Sequence, residues 1–346
     1  MGRKKDVEKL ANIIKDFRKG ELDIKLDERH VEKWLSQFSE ESQDVILKET
    51  TRIFDRWYFN KNYIQKEFLN KVVDDLFEKY SFRSISDLCE NVVFVSVQDF
   101  GQSQRMLIDM LDERVQKKYG TSIQREVTND QQFFVYLDDG LYTGSRARKD
   151  IEYLLTQCLC EGDSLDVFYM VSSHRDLYYS DHYLDGINKE CGIKLSIVVY
   201  NGIDKRLLLW PSEYLQREEE ADIYEKFLST IPRPKHPYRY NNGNKDPGIF
   251  SSAEARYIVE REFLRKGIDI YSSMTDPKGK YPLGYSLWSC FGFGSFCASD
   301  LNIPNTCPLV LWWGNVRKCE DALDNWYPLL PRRTNLTADG MEACAW

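Results

Sequence analysis

Asp138 and Asp139 end an apolar run in the stretch FFVYLDDGLYTGSRARKDIEYLL, and Thr143, Gly144 and Ser145 follow them just before a helical pattern begins. Hydroxyls and an unobstructed glycine backbone at a helix start suit a phosphate, because the first helical N–H groups have no intrahelical partner and the dipole's positive end points the same way. Two carboxylates beside such a cradle repel a phosphate. They suit the vicinal hydroxyls of a sugar, or a Mg²⁺ that the ligand itself brings. The candidate site is therefore a grip on a phosphorylated ribose, with Asp138 and Asp139 as its chemical pair. The same residues also fit a surface turn in which Thr143 or Ser145 caps a helix.

The spacing resembles the ribose-phosphate signature of the type I phosphoribosyltransferases: two acidic residues, three variable ones, then Thr-Gly-small-Thr after a hydrophobic strand. The chain follows that pattern through Ser145 and departs at Arg146, where the family has a hydroxyl residue and this chain has a cation able to face a phosphate. Three further blocks resemble the phosphoribosyltransferase-like family of bacterial conflict and anti-phage loci, some of them retron-associated. They are VEKWLSQF, then VVFVSVQDFGQSQRML ahead of the acidic motif, then YPLGYSLWSCFGFGS with NIPNTCPLVLWW, together spanning about residues 31 to 314.

The resemblance implies that Thr143, Gly144 and Ser145 hold a 5′-phosphate; Arg146, where the chain departs from it, either adds charge to that phosphate or marks a site turned to another ligand. It also implies that a loop at Gly101, Gln102 and Ser103 contacts pyrophosphate, although this chain lacks the basic residue such loops often carry. Mg²⁺ would come with phosphoribosyl pyrophosphate or a nucleotide rather than being held directly by side chains. Asn302 and Asn305, in a segment shared with the family, would recognise a base or ribose, or else satisfy loop backbone.

The elements that must position these residues alternate. Val92 to Val97, Phe133 to Leu137, Leu165 to Ser172 and Lys194 to Tyr200 are short apolar runs that read as buried strands. Met106 to Val115 and Ile151 to Cys158 read as helices between them. Strand–loop–helix alternation predicts an α/β fold of the type I phosphoribosyltransferase kind: a parallel sheet flanked by helices, with ligand loops at the strands' carboxyl ends. An N-terminal helical extension over residues 1–80 carries apolar stripes such as Val31, Trp34, Leu35 and Phe38, and Arg3 to Lys5 read as a solvated or frayed end. The α/β core then covers 81–214, a linker or excursion 215–250, and a C-terminal α+β hood-like segment 251–346. In that last segment LVLWW reads as a buried strand.

Composition narrows the classes. The chain has 346 residues, 47 Lys and Arg against 55 Asp and Glu, and a net charge of −8, which argues against a general nucleic-acid binder. No apolar run reaches membrane-spanning length and the charged start lacks a signal-peptide core, so the expectation is a cytoplasmic protein. Nine cysteines form no paired zinc-type motif; Cys158 reads as a buried helix position with Cys160 beside it. His174 and Arg175 follow a strand, and the spacing of His174, Asp181 and His182 matches no common metal site. Arg233 to Tyr240 mixes basic and aromatic residues, which suits a base or a packed loop.

Two functions follow from the resemblance. One is an enzyme of phosphoribosyl transfer or its reverse, including cleavage of a nucleotide or NAD, serving anti-phage defence. The alternative is a non-catalytic nucleotide sensor docked to a defence-system protein or a reverse-transcriptase/RNA–DNA partner. A nucleic-acid adaptor is a third class, marked by steep salt dependence of binding.

Overall fold

The computed structural model describes residues 2–98, 103–126, 133–142, 144–173, 192–203, 218–231, 247–284, 292–316 and 326–332. Two compact units emerge, one from residues 61–204 and the other from residues 1–60 together with 205–346.

The 61–204 unit is built on a four-stranded parallel sheet, β2 (Val92–Val95), β3 (Phe133–Leu141), β4 (Ser164–Ser173) and β5 (Lys194–Ile203), in that spatial order. Register is regular across it: Val95 pairs with Tyr136, Tyr136 with Val167 and Val167 with Ile197. A parallel sheet needs a crossover between successive strands, and α7 (Ser103–Tyr119) and α8 (Ser145–Tyr153) lie between β2 and β3 and between β3 and β4. Apolar residues on both strand faces require cover on both. On one face Val93, Phe134, Leu165 and Val167 pack with Ile151 and Leu154 from α8 and the π-helical turn Leu154–Cys158 that extends it. On the other, Phe168 stacks on Tyr200, which meets Phe68 edge-on.

Phe68 closes a second π-helical turn (Ile64–Phe68) that joins α4 (Lys61–Tyr63) to α5 (Leu69–Tyr80), and α6 (Ile85–Asn91) then leads into β2. Tyr200 donates to Asp75 at 2.6 Å, and Asn201 donates to Tyr63 at 2.8 Å. Lys79 and Tyr80 both bond Asp166 near the start of β4. These contacts explain why helices 61–80, read from sequence as part of an N-terminal extension, fall in the same unit as the sheet. Their apolar stripe was legible, but not the strand it faces.

The other unit is mainly helical: α1 (Gly2–Ile14), α2 (Glu28–Leu35), α3 (Glu40–Trp57), α9 (Ala221–Thr230), α10 (Ala253–Ser272) and α11 (Leu309–Trp312). A short parallel pair, β1 (Tyr58–Phe59) with β6 (Ala298–Ser299), adds to them. Asp27 caps α2 by accepting from the backbone N–H groups of Arg29 and His30, and Ser252 caps α10 through Ala255. Trp34, Phe38, Phe263, Phe293 and Phe296 form a chain of ring contacts through the core.

Three sequence readings change here. LVLWW is buried as expected, but Leu309–Trp312 is a helical turn. A short apolar run does not distinguish a buried strand from a buried helix, and Pro308 at its entry has the fixed φ that a first helical turn accepts. Arg3 is not a frayed end: it pairs with Glu32 at 2.9 Å and Asp44 at 3.0 Å from within α1. Cys158 is half-buried and Cys160 exposed, because the π-helical turn ends at Cys158. Among the described residues no helix is long and apolar enough to cross a membrane.

Candidate functional site

Strand β3 runs further than its apolar run suggests. Asp138, Asp139 and Gly140 are strand residues; Asp138 and Gly140 pair in register with Tyr169 and Val171 of β4, and the pairing ends with Leu141 opposite Ser172. Gly140, which the Asp-Asp-Gly order suggests as a turn, therefore continues the strand. Its missing side chain instead leaves room for the Tyr142 ring, whose atoms lie 2.4–2.7 Å from where a Cβ would stand. The turn falls at Gly144, with φ 70°, a left-handed conformation open to glycine without a Cβ clash. Helix α8 starts at the next residue, and Arg148 N–H donates back to the Gly144 carbonyl at 2.8 Å. The cap is the glycine, with no side-chain hydrogen bond.

Asp138 and Asp139 are both buried, at 8% and 5% exposure. Asp138 Oδ1 accepts from the Asp139 N–H at 2.8 Å and from Ser103 Oγ at 3.3 Å, and Oδ2 accepts from Gln98 Nε2 at 3.1 Å. Tyr136 stands two residues earlier and therefore on the same face of β3; its hydroxyl lies 3.3 Å from Asp138 Oδ2. Burial, then the charge of Asp139, push the Asp138 carboxyl up to about 8 despite these donors. Burial raises Asp150 on α8 as well, and drives the Tyr136 phenol far above its ordinary range.

The loop between β2 and α7 is held by Gln104. Its Oε1 accepts from the N–H groups of Val97 at 3.0 Å and Gln98 at 3.3 Å, while its Nε2, fully buried, has no hydrogen-bond partner among the described residues. Ser103 opens α7 and reaches Asp138, so the structure brings together two loops that sequence reading treated separately. Gly101, Gln102 and Thr143 lie outside the described residues, as do the Ser145 side chain, His174, Arg175, Asp181, His182 and Arg233 to Tyr240. Arg146 is half-exposed, with Nε 4.0 Å from Asp150 Oδ2.

Asn302 and Asn305 belong to the other unit. Asn305 donates to the Gly279 carbonyl at 3.5 Å, and the Asn302 backbone carbonyl accepts from Ser299 N–H at 2.9 Å, so both take part in loop architecture there.

Sequence reading missed Tyr136 and Asp150 as site residues. Strand alternation two places before Asp138 is a usable signal for Tyr136. Asp150 sits in a charged helical stretch, RARKD, and nothing in its spacing separates it from a solvated residue.

Among the described residues no three His, Cys, Asp or Glu side chains gather as a metal cage. The donor set present, two adjacent carboxylates, fits a magnesium ion that arrives with a ligand's oxygens and keeps most of its coordination from them and from water.

A parallel sheet flanked by helices, with a carboxylate pair at the end of a strand and a glycine turn into a helix start, is consistent with a phosphoribosyltransferase-like α/β protein. The family model PRTase-CE matches residues 31–332, and the chain belongs to that phosphoribosyltransferase-like family. No curated protein and no solved structure matches the chain.

Proposed function

We propose that the β3–α8 connection grips the ribose 5-phosphate part of phosphoribosyl pyrophosphate or of a nucleotide, and that the protein transfers or cleaves at the ribose C1 position. The observation that carries this reading is the adjacency of a buried carboxylate pair and a left-handed glycine leading straight into a helix start. In this reading Asp138 and Asp139 accept the ribose hydroxyls and offset positive charge that develops on the sugar ring as the leaving group departs. The N–H groups at the start of α8, with Thr143 and Ser145, take the phosphate, and Ser103, Gly101 and Gln102 approach the pyrophosphate side. Bound Mg²⁺ would supply charge neutralisation of the pyrophosphate. The proposed setting is cytoplasmic, in prokaryotic anti-phage defence.

The proton affinity of Asp138 favours a second reading. Both its oxygens already accept from protein donors, Ser103, Gln98 and the Asp139 N–H, and burial pushes the carboxyl toward its neutral form, which suits hydrogen bonding to a ligand better than offsetting charge. A nucleotide sensor that signals to a defence-system protein or a reverse-transcriptase/RNA–DNA partner would use the site in that way.

One experiment separates them. Purified protein is titrated with phosphoribosyl pyrophosphate, nucleoside monophosphates and NAD, with and without Mg²⁺, followed by product analysis. The expected result is Mg²⁺-dependent binding with release of pyrophosphate or free base, lost in Asp138→Asn/Asp139→Asn. Binding without product supports the sensor, and absence of binding by every phosphoribosyl compound overturns both.

A further inference from the structure

The helical unit holds a cleft of about 410 Å³, within the size range of small-molecule sites, that the proposed chemistry leaves unused. Its walls are α9, α10 and the connection from α2 to α3. Phe38 and Ile223, both almost fully buried, give it an apolar side. Six charged side chains line the rest, three of each sign.

Four of the six are taken up between the two helices. Lys226 meets Asp269 at 2.7 Å, and Arg265 Nη2 lies 3.7 Å from Asp222 and 3.4 Å from Glu220. The Gln37 amide is committed as well, donating to the carbonyls of Trp34 and Tyr327 and accepting from the Tyr327 N–H. Glu262 and Lys266 remain. Glu262 is 4% exposed, yet among the described residues it accepts one hydrogen bond, a long one from the Ser39 N–H to Oε2 at 3.4 Å. Its Oε1 faces Arg261 Nη2 at 3.8 Å, beyond hydrogen-bonding reach, and that guanidinium is shared with Glu41 and Glu220. A carboxylate has several acceptor sites, and burying them unfilled is costly. Lys266 is half-buried and makes no ion pair among the described residues. It follows Glu262 by one helical turn, in the order that favours a Glu–Lys pair, and the two do not pair.

The cleft therefore keeps one carboxylate and one ammonium, on side chains whose Cβ atoms lie about 5–6 Å apart by helix geometry. A cation would satisfy Glu262 alone, and an anion Lys266 alone. A small molecule with both charges on one short stem satisfies both, and an apolar substituent on it would lie against Phe38 and Ile223. We propose that this cleft binds a free α-amino acid with an apolar side chain, its ammonium on Glu262 and its carboxylate on Lys266. The site belongs to one unit and does not depend on the phosphoribosyl reading.

The test titrates the full chain with L-leucine, L-isoleucine, L-methionine and L-phenylalanine by ligand-observed NMR. The tightest binder is then compared with its amino alcohol, which lacks the carboxylate, and its deaminated acid, which lacks the ammonium; for leucine these are leucinol and 4-methylpentanoate. The expected Kd is below about 1 mM, with each analogue weaker by about tenfold. In Glu262→Gln the amino acid should lose its advantage over the deaminated acid and keep its advantage over the amino alcohol. Lys266→Met should do the opposite, a crossed pattern that general loss of structure does not produce. Absence of binding by all four at about 10 mM overturns the proposal, as does an analogue that binds the unmutated protein as tightly as its amino acid. Those two comparisons decide even if a variant fails to fold. Failure to bind phosphoribosyl compounds would overturn the proposed function and leave this series intact.

Discussion

Each unit buries charge, and they do so in opposite ways. On α10, Arg256 and Glu260 are both fully buried and meet at 2.8 Å, one turn apart. In the sheet unit Asp138 and Asp139 are buried side by side with the same sign, and a third carboxyl, Asp150, shares donors with Asp138. A buried opposite-charge pair neutralises itself and holds one geometry. A buried like-charge group stays in tension until something from outside resolves it, which makes it a poor structural device and a good binding one. The difference favours the sheet unit as the seat of the proposed function without reference to any motif.

The largest effect should come from breaking the buried opposite-charge pair. Arg256→Met takes from Glu260 its buried cation and should destabilise the protein by about 3–5 kcal/mol in urea unfolding, whereas Arg256→Met/Glu260→Leu should recover most of that loss. A double variant as unstable as the single one would mean that the pair does more than neutralise itself.

The like-charge group should respond to pH instead. The folded-state value of Asp138 lies above the ordinary value of 3.8, so the folded chain binds the extra proton across the window from 3.8 to about 8. Stability contributed in acid is therefore lost as pH rises through that window, by an amount on the order of a few kcal/mol. Asp138→Asn should flatten the decline, as followed by denaturant midpoints at stepped pH.

His30, in the helical unit, should show the reverse slope at a smaller size. Its Nδ1 and Nε2 lie 2.8 Å from the Tyr327 hydroxyl and 2.7 Å from the Leu329 carbonyl, and burial lowers it from 6.5 to about 4. The unfolded chain then binds the extra proton between those values, so stability is lost as pH falls through them. His30→Gln should remove about 1–3 kcal/mol of this acid dependence, read by thermal melts at stepped pH. The smallest effect belongs to Arg146→Ala. At 4.0 Å and half-exposed, its pair with Asp150 should contribute less than about 0.5 kcal/mol in denaturant unfolding.

Much of this was legible in residue order. The strand runs at 165–172 and 194–200 and the helix stripe at 151–158 are local patterns, and the structure realises them as β4, β5 and α8 with its extension. Asp138 was legible because a strand and a helix bracket it. Gln98, Tyr136 and Asp150 meet through space from three elements, and no spacing along the chain encodes that. Arg256 and Glu260 were hidden differently: in AEARYIVEREFLRKG they look like solvated helix charge, and only the packing around α10 reveals both at zero exposure. Short apolar runs failed where length was the missing information, as at Leu309–Trp312.

The π-helical turn at Leu154–Cys158 has a consequence for how this chain can change length. Such a turn holds one residue more than the α-helical path requires, and lets the neighbours Leu154 and Leu155 both reach the core. Losing that residue would return the segment to an ordinary helix end and leave Ser145 to Tyr153 in place. The same deletion inside α10 would swing everything beyond it by roughly 100°. Descendants of this sequence can therefore shed or regain a residue behind the Gly144 turn while the turn itself keeps its aim.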